Sequence, residues 1–312
     1  MTAVHEDTDT RSTFSHSALF YRGRAEFLAA TVSFVREGLA RGEPVAVIVP
    51  APNLEALTAA LGADAERVRL IDMVDAGRNP GRIIPLVLRS FADSHPRPVR
   101  VVGEPVFSGR TDDEYPACVQ HEALVNASFE GRPATLLCPY DTGRLAPSVL
   151  VDAEATHAVV VDGDGPYVSP RYAPEDAFER HNVPLPVPGD ALRVPFDLDG
   201  LTRARHTATD FAADGGFAGE RLQDVALVVG ELCANSVQHG GGGGLLGVWR
   251  DGDGVVCQVS DRGTPADRLA GRRPATPHQD GGRGLLLVNQ IADLVRTHVG
   301  SEGTTVRVAL RQ

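Results

Sequence analysis

The sequence predicts two α/β domains in series: a polar tail over residues 1–13, a first domain over 14–161, a linker over 162–190 and a second domain over 191–312. Three observations carry this reading. Short apolar runs alternate with helical spacings throughout the first half, the pattern of a largely parallel sheet with crossover helices. A stretch rich in proline and glycine then interrupts it. The last part opens with a long amphipathic helix and continues through hairpins and a glycine-rich loop. At 312 residues the chain can bury two cores.

In the first domain, residues 24–41 place Phe27, Leu28, Val32, Phe34, Val35 and Leu39 at helical spacing, and Gly42 ends that helix. Residues 44–49 form a continuous apolar run, hence a buried strand. Asn53 is expected to cap a helix over 54–61. Strands follow at 68–71, 99–102 and 134–138, with helices at 82–92 and 113–129. The linker carries Pro166, Pro170, Pro174, Pro184, Pro186 and Pro188, with one short helix at 174–180. So many prolines and so little apolar surface predict few contacts across it.

In the second domain a strand at 192–196 precedes helices at 201–213 and 219–238. Residues 245–250 and 255–260 form a hairpin across the Asp251–Gly254 turn. A polar loop over 262–282 leads to a helix at 285–294, and a last hairpin joins 296–299 to 304–310. Helices on one face of a mixed sheet follow from this order.

Composition narrows the function. Hydrophobic residues make up 42% and charged residues 23%, ordinary for a globular protein. No apolar run reaches the roughly 18–20 residues of a membrane span, and the N-terminus lacks a secretory pattern, so a cytoplasmic protein is expected. The net charge of −11 argues against nonspecific nucleic-acid binding. Cys118, Cys138, Cys233 and Cys257 form no CxxC pair and read as reduced thiols. Every one of the 30 basic residues is arginine. That excludes a Walker A loop and Schiff-base chemistry, both of which need a lysine amine.

The most informative residues run from Glu231 to Gly240. Glu231 and Asn235 lie four apart on a helix and leave the same face one turn apart. Asp261 follows an apolar strand, next to Gly263. Gly282, Arg283, Gly284 and Leu285 then open a second helix, whose N-terminal amides suit phosphate. Thr304 and Thr305 sit on the last hairpin. A solvated helix face, an ordinary turn and β-branched strand residues are the plain alternatives for each piece alone.

In this order the motifs resemble the Bergerat (GHKL) nucleotide site of gyrase, histidine kinases and MutL. The domain is most similar to anti-sigma-factor serine/threonine kinases of the RsbW type. The resemblance implies an α/β sandwich that binds ATP and Mg²⁺. Asn235 would supply a Mg²⁺ ligand and Glu231 the general base. Asp261 and Gly263 would meet adenine, with Thr305 assigned to the same side. Gly282, Arg283, Gly284 and Leu285 would hold phosphate. It further implies two protein partners, a sigma factor and an anti-anti-sigma (STAS) substrate, with no direct nucleic acid or membrane, and it allows a homodimer. A nucleotide-dependent switch without transfer and a histidine-kinase-like enzyme remain the rivals.

In the first half, four pieces resemble the MEDS sensory domain: residues 16–21, 102–105, 121–126 and 137–141. The resemblance implies a RecA/KaiC-like α/β core without a phosphate loop, as a regulator that binds a small-molecule signal. Ligands in parallel sheets bind beyond the carboxyl ends of strands. Glu104, Cys138, Tyr140 and Asp141 fall at such ends and are the pocket candidates, with His16 and His157 as further ones to which the pattern assigns no place. Cys118 and His121 lie three apart on a helix with Cys138 elsewhere, a spacing that matches no standard zinc module, so buried structural thiols are the simpler expectation.

Overall fold

A computed structural model describes residues 14–265, 267–274 and 282–312. The tail and part of the 262–282 loop lie outside the described residues.

The first sheet has seven strands in the order β3-β2-β4-β5-β1-β6-β7. They are β1 (Phe14–Tyr21), β2 (Val45–Val49), β3 (Val68–Asp72), β4 (Val99–Gly103), β5 (Ala134–Asp141), β6 (Val159–Asp162) and β7 (Gly165–Val168). All pairings are parallel except β6 with β7. Strand alternation divides the core. Val45, Val47, Val49, Leu19, Tyr21 and Leu137 pack against α1 (Gly23–Ala40) and α2 (Ala51–Leu61). Ala46, Ile48, Val101 and Leu136 face the other way. That side is covered by α3 (Met73–Ala76), by a π-helical segment Ile83–Arg89 running into α4 (Ser90–Asp93), and by α5 (Tyr115–Ser128) and α6 (Pro147–Thr156).

Four expectations need correction here. The central strand β1 was not foreseen: His16, Ser15 and Ser17 break its apolar pattern, and it forms because β5 and β6 flank it. α6 was also missed. The linker begins later than expected, because 162–168 completes an edge hairpin of the sheet. Asn53 does not cap a helix. Pro50 holds that position, and the Asn53 side chain donates to Glu104 Oε2 at 2.8 Å instead.

After α7 (Pro174–Arg180), the second sheet runs β11-β12-β10-β9-β8. Its strands are β8 (Leu192–Asp197), β9 (Gly243–Asp251), β10 (Gly254–Asp261), β11 (Leu294–Gly300) and β12 (Gly303–Leu310). The expected mixed sheet is antiparallel at every described pairing. One face packs on α8 (Leu201–Asp214), α9 (Gly219–His239) and α10 (Gly284–Ile291). α9 buries Val225, Val228, Val229, Leu232, Cys233 and Ser236, a stripe at spacings of three and four.

The two halves meet over a broad interface, contrary to the few contacts expected. The opposite face of the second sheet receives the linker: Gln258 Nε2 donates to Leu185 O at 3.0 Å and Arg307 Nη2 to Pro186 O at 2.6 Å. Asn182 bonds Val299 in both directions, at 2.8 and 2.9 Å. Asn79, fully buried in the first domain, donates to Asn289 O at 2.8 Å and accepts from Val295 N at 3.2 Å. Leu269, from the segment between β10 and α10, is buried in the first domain's core beside Met73, Ile83 and Phe91. Proline content describes the linker's own backbone. It says nothing of the faces the linker covers.

Candidate functional site

Between α9, α10, β10 and β12 lies a cavity of about 860 Å³. Its lining includes Asn235, Asp261, Gly263, Gly282, Arg283, Gly284, Leu285 and Thr304. The structure thus brings together residues 69 positions apart in the chain, Asn235 and Thr304.

At one end, Asp261 leaves the tip of β10. Its Oδ2 accepts from Ser236 Oγ at 2.6 Å and its Oδ1 from Gly263 N at 2.8 Å. These bonds fix the carboxylate and leave acceptor capacity on both oxygens. Gly263 permits a close approach: a Cβ there would lie 2.6 Å from His239 O. Ser236, one residue beyond Asn235, is a functional neighbour that the sequence reading missed. Its place in the buried stripe of α9 was the available signal.

At the other end, α10 begins. Its first intrahelical bond runs from Leu287 N to Arg283 O at 2.9 Å, so the amides of Gly284, Leu285 and Leu286 precede it and have no acceptor within the helix, the arrangement that suits an anion. A Cβ on Gly284 would lie 2.3 Å from Glu231 Oε2 and 3.6 Å from Asn235 Nδ2. The missing side chain lets the acid and the amide of α9 come against the start of α10. Glu231 borders this junction and is not part of the cavity lining. Asn235 Nδ2 is buried without a hydrogen-bond partner, so a polar group from the cavity side is needed to satisfy it.

Thr305 does not reach the cavity. Alternation on β12 turns it to the linker face, where its Oγ1 lies 3.0 Å from Ser260 Oγ. Thr304 lines the cavity instead and donates to Gly263 O at 2.7 Å.

The sensory candidates separate into two groups. Glu104, 3% exposed, accepts from Tyr21 OH at 3.3 Å as well as from Asn53. Burial raises its pKa to about 7 against the lowering effect of those two bonds. Asp141, at the end of β5, accepts from Gly143 N at 2.9 Å. His16, Cys138 and Tyr140 lie deeper, around Glu122 of α5: His16 Nε2 is 3.1 Å from Glu122 Oε2, and Tyr140 OH donates to Oε1 at 3.1 Å. Glu122 was not foreseen as a site residue. It sits within a helix whose neighbours are nearly all buried, so nothing in its local pattern marks it.

The comparisons agree with this architecture. Residues 15–158 match the MEDS family (MEthanogen/methylotroph, DcmR Sensory domain). Residues 194–310 match the histidine kinase-like ATPase domain. No curated protein matches the chain. The ATPase domain implies ATP binding, and the α10 N-terminal amides, the unsatisfied Asn235 Nδ2 donor and the Asp261 carboxylate fit a nucleotide, with the Asn235 amide oxygen the atom that would meet its metal. A kinase-like ATPase domain beside a sensory domain suggests a regulatory signalling protein with kinase or ATPase activity. Among the described residues, no helix is long and apolar enough to cross a membrane.

Proposed function

We propose that this chain is an ATP-dependent serine/threonine kinase of the anti-sigma type, controlled by its N-terminal domain. Its substrate is a hydroxyl on an anti-anti-sigma (STAS) protein, and phosphorylation of that partner leaves this chain free to hold a sigma factor inactive. The observation that supports this reading best is the junction of Glu231, Asn235 and Gly284 at the phosphate end of the cavity. Asn235 would hold Mg²⁺, which neutralises phosphate charge when bound. Glu231 would accept the proton of the attacking hydroxyl. Arg283 and the α10 amides would bind phosphate, a task that a lysine performs in other nucleotide sites. Asp261 would accept from the adenine amino group, which guanine lacks at that position.

Control by the N-terminal domain rests on α10. Its first turn forms the phosphate end of the cavity, while Asn289 near its other end is held by Asn79. A signal that shifts Asn79 or the Leu269 pocket would act on α10 directly, to the extent that it distinguishes two positions of the helix.

The test is transfer of labelled γ-phosphate from ATP to a candidate STAS protein by the full chain. Transfer to serine or threonine supports the proposal. ATP binding without transfer points to a non-catalytic switch. Acid-labile phosphate on the chain itself points to a histidine-kinase-like enzyme.

A further inference from the structure

Beneath the first sheet, His16 from β1, Glu122 from α5, Cys138 from β5 and His157 from the end of α6 converge. Their nearest donor atoms all lie within 4.8 Å of one another, the one such group among the described residues. All four are buried: His16 is 5%, Glu122 1%, Cys138 5% and His157 0% exposed.

The ring nitrogens show what the cluster is built for. His157 Nδ1 faces the Ala153 carbonyl at 2.8 Å, which can only accept, so Nδ1 carries the proton. Nε2 then presents a lone pair. It is buried without a hydrogen-bond partner and lies 3.7 Å from Glu122 Oε2. His16 repeats the arrangement. Its Nδ1 lies 3.3 Å from Asn126 Oδ1, and Asn126 Nδ2 is committed to the carbonyls of Glu122, Ala123 and Thr156. Asn126 therefore accepts through its oxygen, and His16 Nε2 is the nitrogen that faces inward. That atom is 3.1 Å from Glu122 Oε2 and 3.3 Å from Cys138 Sγ. Two imidazole nitrogens, a carboxylate oxygen and a sulfur thus face one point. Without a metal ion they need a proton among them, and the Cys138 thiol donates one to Glu122 Oε2 at 3.8 Å.

We propose that His16, Glu122, Cys138 and His157 form a buried binding site for one zinc ion. Tetrahedral zinc with nitrogen ligands at about 2.0–2.1 Å and sulfur at about 2.3 Å separates its ligand atoms by roughly 3.3–3.6 Å. Four of the six separations, 3.1, 3.3, 3.7 and 3.8 Å, bracket that range, and the two between His157 and the His16 and Cys138 atoms are within 4.8 Å. The surrounding groups have the form of a metal site's outer layer. Each histidine donates its other N–H to an oxygen, and Tyr140 OH holds the carboxylate oxygen that faces away. Four protein ligands close the coordination, so the ion ties β1 and β5 to α5 and α6 and has no open position for a substrate. On binding, the Cys138 thiol gives up its proton to solvent and bonds as thiolate. Histidine, cysteine and carboxylate together suit zinc better than magnesium or calcium, which favour oxygen alone.

The experiment uses the untagged full chain without nucleotide. Elemental analysis of protein purified without chelators should find about one zinc per chain. After stripping and reloading with cobalt(II), the spectrum should show tetrahedral d–d bands and a thiolate-to-cobalt charge-transfer band. Cys138→Ser should lose the charge-transfer band, while Cys118→Ser, buried outside the cluster, should keep it. His157→Ala should lower cobalt affinity at least tenfold. Should Cys138→Ser fail to fold, the wild-type spectrum and the His157→Ala titration decide the matter. A wild-type chain that holds no zinc and gives neither band, or a charge-transfer band that survives in folded Cys138→Ser, overturns the proposal.

Discussion

The nucleotide cavity and the His16–Glu122–Cys138–His157 cluster are opposites in construction. The cavity is open, about 860 Å³, and polar groups line it. The cluster is closed, and two cavities of about 10 Å³ border it. The cavity's chemistry sits on one turn of α9 and the start of α10, so local backbone geometry assembles most of it. The cluster draws one residue from each of four elements, so only the completed sheet assembles it. An open site depends on what its residues do to a ligand. A closed site depends on what its residues do to one another.

Removing a reacting group from the open site should have the largest effect. Glu231→Gln keeps the volume and should keep ATP binding. Phosphoryl transfer should fall by about 10² to 10⁴, the usual contribution of a general base. Single-turnover assays with a STAS substrate would measure it, and an unchanged rate would place the base elsewhere.

The closed half of the molecule should respond to pH instead. Glu104 is buried and its pKa is raised to about 7 from an ordinary 4.5, mainly by burial. The folded state therefore binds more protons than the unfolded state between those values. Stability from this group is fully present below about 4.5 and is lost as pH rises through about 7. The span corresponds to at most about 3 kcal/mol. Denaturation of the full chain and of Glu104→Gln at pH 5 and pH 8 should show the loss as a difference between the two, because buried His121, whose pKa burial lowers to about 3, acts in the opposite sense over the same interval. An equal pH dependence in the variant would remove Glu104 as its source.

The smallest effect should arise where the regions touch. Asn79→Ala removes the buried partner of Val295 N and of the Asn289 Oδ1 and carbonyl oxygens, at a cost of about 1–3 kcal/mol. If α10 couples the halves, ATP affinity should also change severalfold. A stability loss with unaltered ATP affinity would leave the interface structural and sharpen the contrast between the two regions.

The same contrast explains what the sequence made legible. Glu231 and Asn235 share a face because an α-helix repeats every 3.6 residues, and that period is visible in the chain. Asp261 at the end of an apolar run, and glycine before a helix, are likewise local signals. Thr305 was misplaced because a one-residue error in strand phase moves a side chain to the opposite face. Ser15, His16 and Ser17 hid β1, since a strand in the middle of a sheet is expected to be apolar throughout. His16 and Cys138 meet because β1 lies beside β5, with Ala18 opposite Cys138. No spacing along the chain encodes that pairing. The interface was missed for a related reason: Leu269 reads as part of a polar loop until the pocket beside Met73 and Phe91 is known.

The central claim is that the cavity bounded by α9 and α10 binds ATP and selects adenine through Asp261. Calorimetric titration of the full chain with Mg·ATP and Mg·GTP tests it most directly, with Asp261→Asn as the matched variant. ATP should bind more tightly than GTP. The variant should lose roughly tenfold to a hundredfold in ATP affinity, the contribution of a charged hydrogen bond of about 1.5–3 kcal/mol. Equal affinity for the two nucleotides, or ATP affinity unchanged in Asp261→Asn, would contradict it.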